Sequence, residues 1–198
     1  MRAAALLSAA ALSASAAAAR APWTPSPVPV FVAGAAGGVP QYRIPAAVVT
    51  PKGTVIAFAE KRYDPAGDCN FKTLVARRSS DMGATWGPEV VVAGASPDNS
   101  TSTGNPQVVF HPQSGRVVVV FGVRKLPARG CSPSDGVFVL DDGGSDGLAW
   151  GAPVNISAQL GPLAGHSIPG PGTGLVLATG ARAGRILMSA SYGECSLA

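Results

Sequence analysis

Charged residues, cysteines and long apolar runs are all scarce in this chain of 198 residues, and each scarcity excludes something. Charged residues make up 13% of the sequence and hydrophobic residues 46%, which excludes a disordered polyampholyte. The basic residues are scattered, so we expect no nucleic-acid partner despite a formal net charge of +4. The three cysteines include no C-x-x-C pair, which argues against a zinc site. Beyond the N-terminal stretch, no segment is apolar enough over sufficient length to span a membrane.

The first nineteen residues differ in composition from the rest. Arg2 precedes a stretch rich in Ala, Leu and Ser, and the three alanines at 17–19 fit the cleavage site of a secretory signal peptide. An Ala-rich transit peptide or a helical anchor is the alternative, although the apolar core is short for a spanning helix. We expect a signal peptide over residues 1–19 and a secreted, extracellular protein. Retention in a lysosome or another acidic endomembrane compartment would follow from the same signal.

Glycine and proline are abundant, with 25 and 18 residues. Together with short β-branched runs such as 117–120, they predict many turns, few long helices and an all-β fold. Residues 20–40 form a Pro/Gly-rich segment with one predicted strand at 28–32. Further predicted strands lie at 44–50, 54–59, 73–78 and 89–92 in a first set, at 107–110, 116–123, 136–140 and 153–156 in a second, and at 174–178 and 185–190 in a third.

The two complete sets resemble one another. Trp86 and Trp150 follow the third strand of their sets at matching places, about 64 residues apart. A four-strand unit that repeats at a long fixed period is typical of β-propeller blades. A β-sandwich with irregular spacing is the alternative, and the aligned tryptophans favour the propeller.

The most specific local motif is S-x-D-x-G-x-T-W, an Asp-box. Its aspartate can accept backbone N–H groups inside the turn, and its glycine permits a positive φ. We therefore expect a folding motif without a catalytic role. The motif residues are Ser79, Asp81, Gly83, Thr85 and Trp86. A degenerate copy spans 143–150, where Ser145 replaces the aspartate while Gly147 and Trp150 remain.

Three further segments accompany the Asp-box in a fixed order. They are Tyr-Arg-Ile-Pro at 42–45, Ala-Phe-Ala-Glu-Lys-Arg at 57–62 with Asp68 and a Leu-Val-Ala-Arg-Arg-Ser strand after it, and Gly-Pro-Gly-Thr-Gly at 170–174. From about residue 42 to 192 the chain resembles the exo-α-sialidases (neuraminidases) of the six-bladed Asp-box propeller type. The resemblance implies a partial propeller over 41–198, with about two and a half blades of four-stranded antiparallel sheet, incomplete at the C-terminus.

The resemblance assigns roles to two residues. A planar guanidinium grips the sialic acid carboxylate with two hydrogen bonds, which Lys cannot do. Sialidases use three arginines for this purpose, and the one in the Arg-Ile-Pro element corresponds to Arg43. The family's general acid/base is an aspartate in the loop after the Ala-Glu-Lys-Arg strand. Counting back from the Arg-Arg pair at 77–78 favours Asp68, with Asp64 as the alternative.

Weaker candidates surround these two. Arg62 lies at the mouth of the same loop, where it either lines the pocket or forms a structural ion pair with Glu60. Asn105 opens the second blade where relatives place an asparagine at the rim of the pocket. Tyr192 occupies a position that resembles a substrate-contacting tyrosine, and a core or rim aromatic is the alternative. The isolated residues His111 and His166 are expected to be structural.

The resemblance also implies what this sequence should contain elsewhere. The family nucleophile is a tyrosine paired with a glutamate, and we find no matching context for that pair or for the second and third arginines before residue 198. We therefore expect this sequence to be a fragment, or a truncated gene prediction, of a retaining glycoside hydrolase that acts on sialylated glycoconjugates. No metal or organic cofactor is expected. The alternatives are a non-catalytic carbohydrate-binding propeller and a protein-interaction module.

Overall fold

The structure is a computed structural model. It describes residues 26–34, 41–64, 70–94, 99–126 and 135–192, with the backbone alone for 162–167 and 192. The expected signal peptide at 1–19 lies outside the described residues. Among the helices of the described part, none is both long enough and apolar enough to cross a membrane.

Four antiparallel strands form the first sheet in chain order. In the first of them alternate side chains face the interior, so that Ala46 and Val48 are buried while Ala47 and Val49 are exposed. This period of two is what a sheet with one covered face requires. The strands are β1 (Gln41–Val49), β2 (Val55–Arg62), β3 (Lys72–Ser79) and β4 (Val90–Ala93).

The second sheet repeats this order and adds a fifth strand at its inner edge. Its antiparallel strands are β5 (Thr101–His111), β6 (Arg116–Lys125), β7 (Gly136–Asp141) and β8 (Val154–Asn155). A 3₁₀ segment, Ser157–His166, which is interrupted by a kink at Gly161, follows, and then β9 (Ser167–Pro169) and β10 (Gly172–Thr173). β10 pairs with β5 in parallel.

The third set of strands is short and forms two separate ribbons. β11 (Leu175–Val176) pairs with β12 (Ile186–Leu187), and β13 (Ala190–Tyr192) pairs with β9, both antiparallel. β10 lies beside both earlier sheets: Gly174 N–H donates to the Val108 carbonyl at 2.7 Å, and the Thr173 hydroxyl donates to the Ala47 carbonyl at 3.1 Å.

One apolar core joins the two larger sheets. The side chains of Ile56, Phe58 and Leu74 from the first sheet are fully buried, as are those of Val119 and Phe121 from the second. Trp150 meets Phe58 edge-to-face with ring centroids 5.4 Å apart. The two sheets therefore pack face to face rather than folding as independent units.

The structure confirms the all-β class and the two four-strand sets. The strand predicted at 28–32 is wrong: residues 26–34 contain no strand, because Pro27 and Pro29 have no N–H to donate to a ladder. The 3₁₀ segment was not predicted. The described residues form no closed ring of sheets, so the six-blade count remains a prediction.

The Asp-box turn is held by hydrogen bonds from its own residues. The Gly83 N–H donates to the Ser79 hydroxyl at 2.8 Å, and the Thr85 N–H donates to Asp81 Oδ1 at 2.9 Å. The Thr85 hydroxyl donates to the other Asp81 oxygen. The bonds from Thr85 and Ser79 lower the pKa of Asp81 to about 2. Gly83 has φ 92°, which a glycine adopts without strain.

The degenerate copy of this turn replaces the missing groups with neighbouring ones. Asp142 accepts the Gly147 N–H at 2.8 Å, the bond that Ser79 makes in the first turn. The Ser145 hydroxyl accepts the Ala149 N–H at 2.9 Å, the bond that Asp81 makes. The second turn therefore keeps both backbone hydrogen bonds, although Asp142 makes the one that Ser79 makes in the first turn and Ser145 makes the one that Asp81 makes.

Candidate active site

Each of the two large sheets has one strained bulge, near the start of its first antiparallel strand in chain order. The register of β1 shifts between Arg43 and Ala46, with φ 55° at Ile44, and the register of β5 shifts between Gly104 and Gln107, with φ 54° at Asn105. Left-handed φ values are uncommon outside glycine and are an outlier for a β-branched residue such as Ile. Such strain costs about 1–3 kcal/mol and clusters at functional sites.

The bulge of β1 sets the position of Arg43. This residue pairs with Glu60 of β2 across the ladder, and the Arg43 side chain is exposed. Directly opposed residues of an antiparallel pair have Cβ atoms about 4.5–5.5 Å apart. The backbone of Arg43 therefore lies opposite Glu60 while its side chain reaches the surface.

Glu60 is the centre of a polar cluster that joins the two sheets. Its side chain is 1% exposed, and its Oε2 accepts Arg62 Nε at 2.9 Å with Lys72 Nζ at 3.8 Å. Its Oε1 accepts the backbone N–H of Asn105 at 2.9 Å, across the sheet boundary. A buried charge is tolerated when it is paired and hydrogen-bonded in this way.

Glycine at 104 makes this approach possible. A Cβ built at Gly104 would lie 2.3 Å from Glu60 Oε1, well inside contact distance. A small cavity of about 40 Å³ adjoins the cluster and is lined in part by Lys72, Asn105, Arg124, Val123 and Ile168. Glu60, Gly104 and the cavity were not predicted as parts of the site.

Tyr42 is tied to the same sheet from the other direction. Its hydroxyl donates to Glu89 at 2.7 Å, and Lys61 Nζ donates to the same carboxylate at 2.8 Å. Burial and the bond to Glu89 raise the pKa of Tyr42 to about 12. Its ring also contacts Phe31, with centroids 5.2 Å apart. The bonds to Glu89 therefore anchor the start of β1 and the end of β2 to the segment ahead of β4.

The predicted site residues are placed unequally. Arg62 is 3% exposed and faces Glu60, and Asn105 meets the same carboxylate through its peptide N–H. Asp64 is exposed and accepts Asn70 Nδ2 at 2.8 Å. Asp68 lies outside the described residues, and for Tyr192 only the backbone is described, paired with Ser167.

Of the two histidines predicted to be structural, the side-chain contacts are described for His111 alone. His111 bonds through one ring nitrogen to the Ser114 hydroxyl at 2.8 Å and through the other to the Gly184 carbonyl at 2.9 Å. Both nitrogens are thus occupied in joining two turns. The side chain of His166 lies outside the described residues.

A larger groove lies away from this cluster, beside the two Asp-box turns. It has a volume of about 360 Å³ and is lined in part by Trp86, Arg78, Thr85 and Leu148. Among the described residues, no group of three or more His, Cys, Asp or Glu side chains is placed to hold a metal ion.

Comparison with known proteins places these features in context. No protein-family model matches the chain. It is 30% identical over 164 residues to a sialidase of Micromonospora viridifaciens, and the alignment covers 76% of this chain and 25% of that protein. It is 29% identical over 163 residues to an exo-alpha-sialidase of Aspergillus fumigatus, with 72% and 40% covered. The chain thus spans between a quarter and two fifths of the length of these relatives.

Solved structures show the same fold. The Hadza microbial sialidase Hz136 superposes with a TM-score of 0.67 at 22% identity, over 77% of this chain and 32% of that one. The Trypanosoma rangeli sialidase in complex with the inhibitor DANA superposes with a TM-score of 0.56 at 18% identity, over 78% and 29%. At these identities the likeness establishes the fold alone.

Proposed function

Because this chain belongs to the sialidase family over the part that aligns, we propose that the full-length protein is an exo-α-sialidase. It would be a retaining glycoside hydrolase that releases terminal sialic acid from glycoproteins, glycolipids or oligosaccharides. The observation that carries the proposal is the position of Arg43, which emerges from a strained bulge beside the Glu60 cluster.

In this proposal Arg43 binds the substrate carboxylate. A guanidinium stays charged at any physiological pH and presents two parallel N–H donors to a carboxylate. Each charge-assisted hydrogen bond contributes about 1.5–3 kcal/mol. The rim residue Asn105 would then contact another part of the sugar, with Tyr192 as a further candidate. Arg62, which is 3% exposed and bound to Glu60, would line the pocket behind them.

Asp68 is the proposed general acid that protonates the leaving glycosidic oxygen. An unperturbed aspartate titrates near pH 4, so it would act in an acidic medium or with a raised pKa. The nucleophilic tyrosine of the family, its glutamate partner and two further arginines would come from parts of the full-length protein not identified in this sequence. The proposed mechanism uses no metal or organic cofactor.

Paired substitutions in the full-length protein test this assignment. Asp68→Asn keeps the shape of the side chain but removes its acid, so kcat on a sialyllactose should fall by about 10²–10⁴. Asp64→Asn is the matched control, four residues earlier in the same segment, and should leave kcat near the wild-type value. A normal rate for Asp68→Asn would sink the assignment, and a loss confined to Asp64→Asn would move the acid to that residue.

The same assay separates the hydrolase from a non-catalytic binder. Arg43→Lys keeps the positive charge but loses the two-pronged contact, so it should weaken sialyllactose binding in either case. Retained binding by the wild-type protein without turnover would favour the carbohydrate-binding alternative. An affinity for a protein partner that is unchanged by Arg43→Ala would favour a protein-interaction module.

A further inference from the structure

We propose that Glu60 is a positioning residue that fixes Arg62 on the first sheet and Asn105 on the second relative to one another. This inference rests on the proposed function, in which Asn105 is a candidate substrate contact and Arg62 lines the pocket. Glu60 itself is 1% exposed and faces its partners rather than the solvent, so it does not touch substrate.

The first step in the argument is the division of labour between the two carboxylate oxygens. Oε2 receives both the Nε and the Nη2 of Arg62, which fixes the plane of that guanidinium. Oε1 receives the Asn105 N–H at 2.9 Å. The Glu60 carboxylate thus fixes the orientation of the Arg62 guanidinium on the first sheet and the position of the Asn105 peptide on the second.

The second step is that the Asn105 peptide needs holding. Asn105 has φ 54°, a conformation that persists only where the surroundings impose it. The bond from Glu60 reaches it across 45 positions of sequence, and Gly104 leaves the space for that approach. A carboxylate serving only as the ion-pair partner of Arg62 would require neither the bond nor the glycine.

The third step concerns charge. Lys72 Nζ lies 3.8 Å from Oε2, and Arg43 occupies the ladder position opposite Glu60. One buried anion therefore has two cations within 4 Å and a third opposite it on the ladder. That balance suits an anionic substrate group whose binding depends on where the cations are held.

Substitutions at Glu60 in the full-length protein separate positioning from simple ion pairing. Glu60→Gln keeps an oxygen for the Asn105 N–H and loses the charge that holds Arg62, whereas Glu60→Ala loses both. Glu89→Gln is the matched control, because Glu89 is a part-buried carboxylate just ahead of β4 that pairs with Lys61 and Tyr42 and not with Arg62 or Asn105.

The first readout does not depend on activity. Amide hydrogen exchange at Asn105 should remain slow in Glu60→Gln and in Glu89→Gln, and should accelerate at least tenfold in Glu60→Ala. If Glu60→Ala fails to fold, Gly104→Ala supplies the same test by displacing the carboxylate from the peptide. Unchanged exchange at Asn105 in the folded variant would overturn the inference even if the protein proves to be a sialidase.

The second readout is the hydrolysis of a sialyllactose. Glu60→Gln should raise KM about tenfold or more with a smaller change in kcat, and Glu89→Gln should change neither. If the wild-type protein binds without turnover, the dissociation constant of the same probe replaces KM, so that failure of the proposed function is distinguishable. An equal effect of the two substitutions, or no effect of Glu60→Gln, would contradict a positioning role.

Discussion

Asp146 is the residue through which the second sheet clasps the first. Its carboxylate accepts the hydroxyls of Thr50 and Thr54 and the Nη2 of Arg78, each at 2.6 Å. Burial raises the pKa of Asp146, but the bonds from the two threonines and Arg78 outweigh it, and the net pKa is lowered. A single side chain in the degenerate turn therefore secures three residues of the neighbouring sheet.

The clasp should make stability depend on pH. Because the folded-state pKa of Asp146 lies below the unfolded value, its stabilisation is complete above about pH 4 and is lost as the pH falls through the folded value. At pH 7, Asp146→Asn should lower the free energy of unfolding by about 1–3 kcal/mol. Urea unfolding at pH 7 and at decreasing pH below 4 should show the difference from wild type shrinking.

An exposed aspartate close by in sequence provides the control. Asp141 pairs with Arg116 at 3.1 Å, with both side chains largely exposed, and exposed pairs contribute about 0–1 kcal/mol. Asp141→Asn keeps an oxygen for the Gly143 N–H, which Asp141 Oδ1 accepts at 2.7 Å, and should therefore change stability little at any pH. A deficit of Asp146→Asn that stays constant as the pH falls would show that the clasp does not depend on the ionised carboxylate.

Contacts between residues that lie close in sequence could be predicted, and contacts between distant residues could not. The contact of Arg62 with Glu60 is between residues two apart on one strand, which share a face, and it stood among the alternatives. The bonds of Asp146 and Asn105 span 96 and 45 positions, and no local pattern encodes them. Asp142 was missed because the motif in the second turn carries its carboxylate one place outside the expected pattern.

The strands were predicted in type and order, while their starts were less accurate. β5 begins at Thr101 rather than at 107 and β1 at Gln41 rather than at 44. Pro45 and Pro106 lie in bulges where no ladder N–H is required, so both strands extend beyond their prolines toward the N-terminus. The third set consists of strands of two or three residues, too short for alternation to define.

The packing of the second Asp-box turn on β2 depends on the absence of a side chain. Gly147 has φ 79°, and a Cβ there would lie 2.4 Å from Ile56 Cδ1. Gly147→Ala should therefore push the turn away from the core. Gly143→Ala is the control in the same turn, where φ is 60° and no atom lies within 4 Å of a built Cβ.

Both alanine substitutions incur the left-handed penalty of about 1–2 kcal/mol, so their difference isolates the contact. We expect Gly147→Ala to lower the free energy of urea unfolding by about 1–3 kcal/mol more than Gly143→Ala. Equal losses would mean that the turn accommodates the methyl group and that its contact with Ile56 is loose.

At the scale of the whole molecule, the N-terminal stretch carries the proposal of export. Cleavage after residue 19 would leave a mature protein that begins at Arg20. Intact mass measurement of protein recovered from the native host's medium or endomembrane fraction should find that terminus. If the protein is instead recovered from the cytosol and still begins at Met1, both the signal peptide and the proposed secretion are contradicted.

Two packed sheets and a third set of strands agree with the fold of the sialidases that superpose on this chain. Six-bladed closure in the full-length protein remains our proposal. The family could be predicted from sequence because the Tyr-Arg-Ile-Pro element and the Asp-box are local motifs. The link between the sheets at Glu60 could not, since it depends on how the blades pack.

The most direct test of the account is whether the full-length wild-type protein releases sialic acid from a sialyllactose, followed by NMR from the first turnovers. We predict release of free sialic acid with the α-anomer formed first, as a retaining mechanism requires, and its loss in Asp68→Asn. Binding of the sialyllactose without release, or release of the β-anomer first, would contradict the proposed reaction.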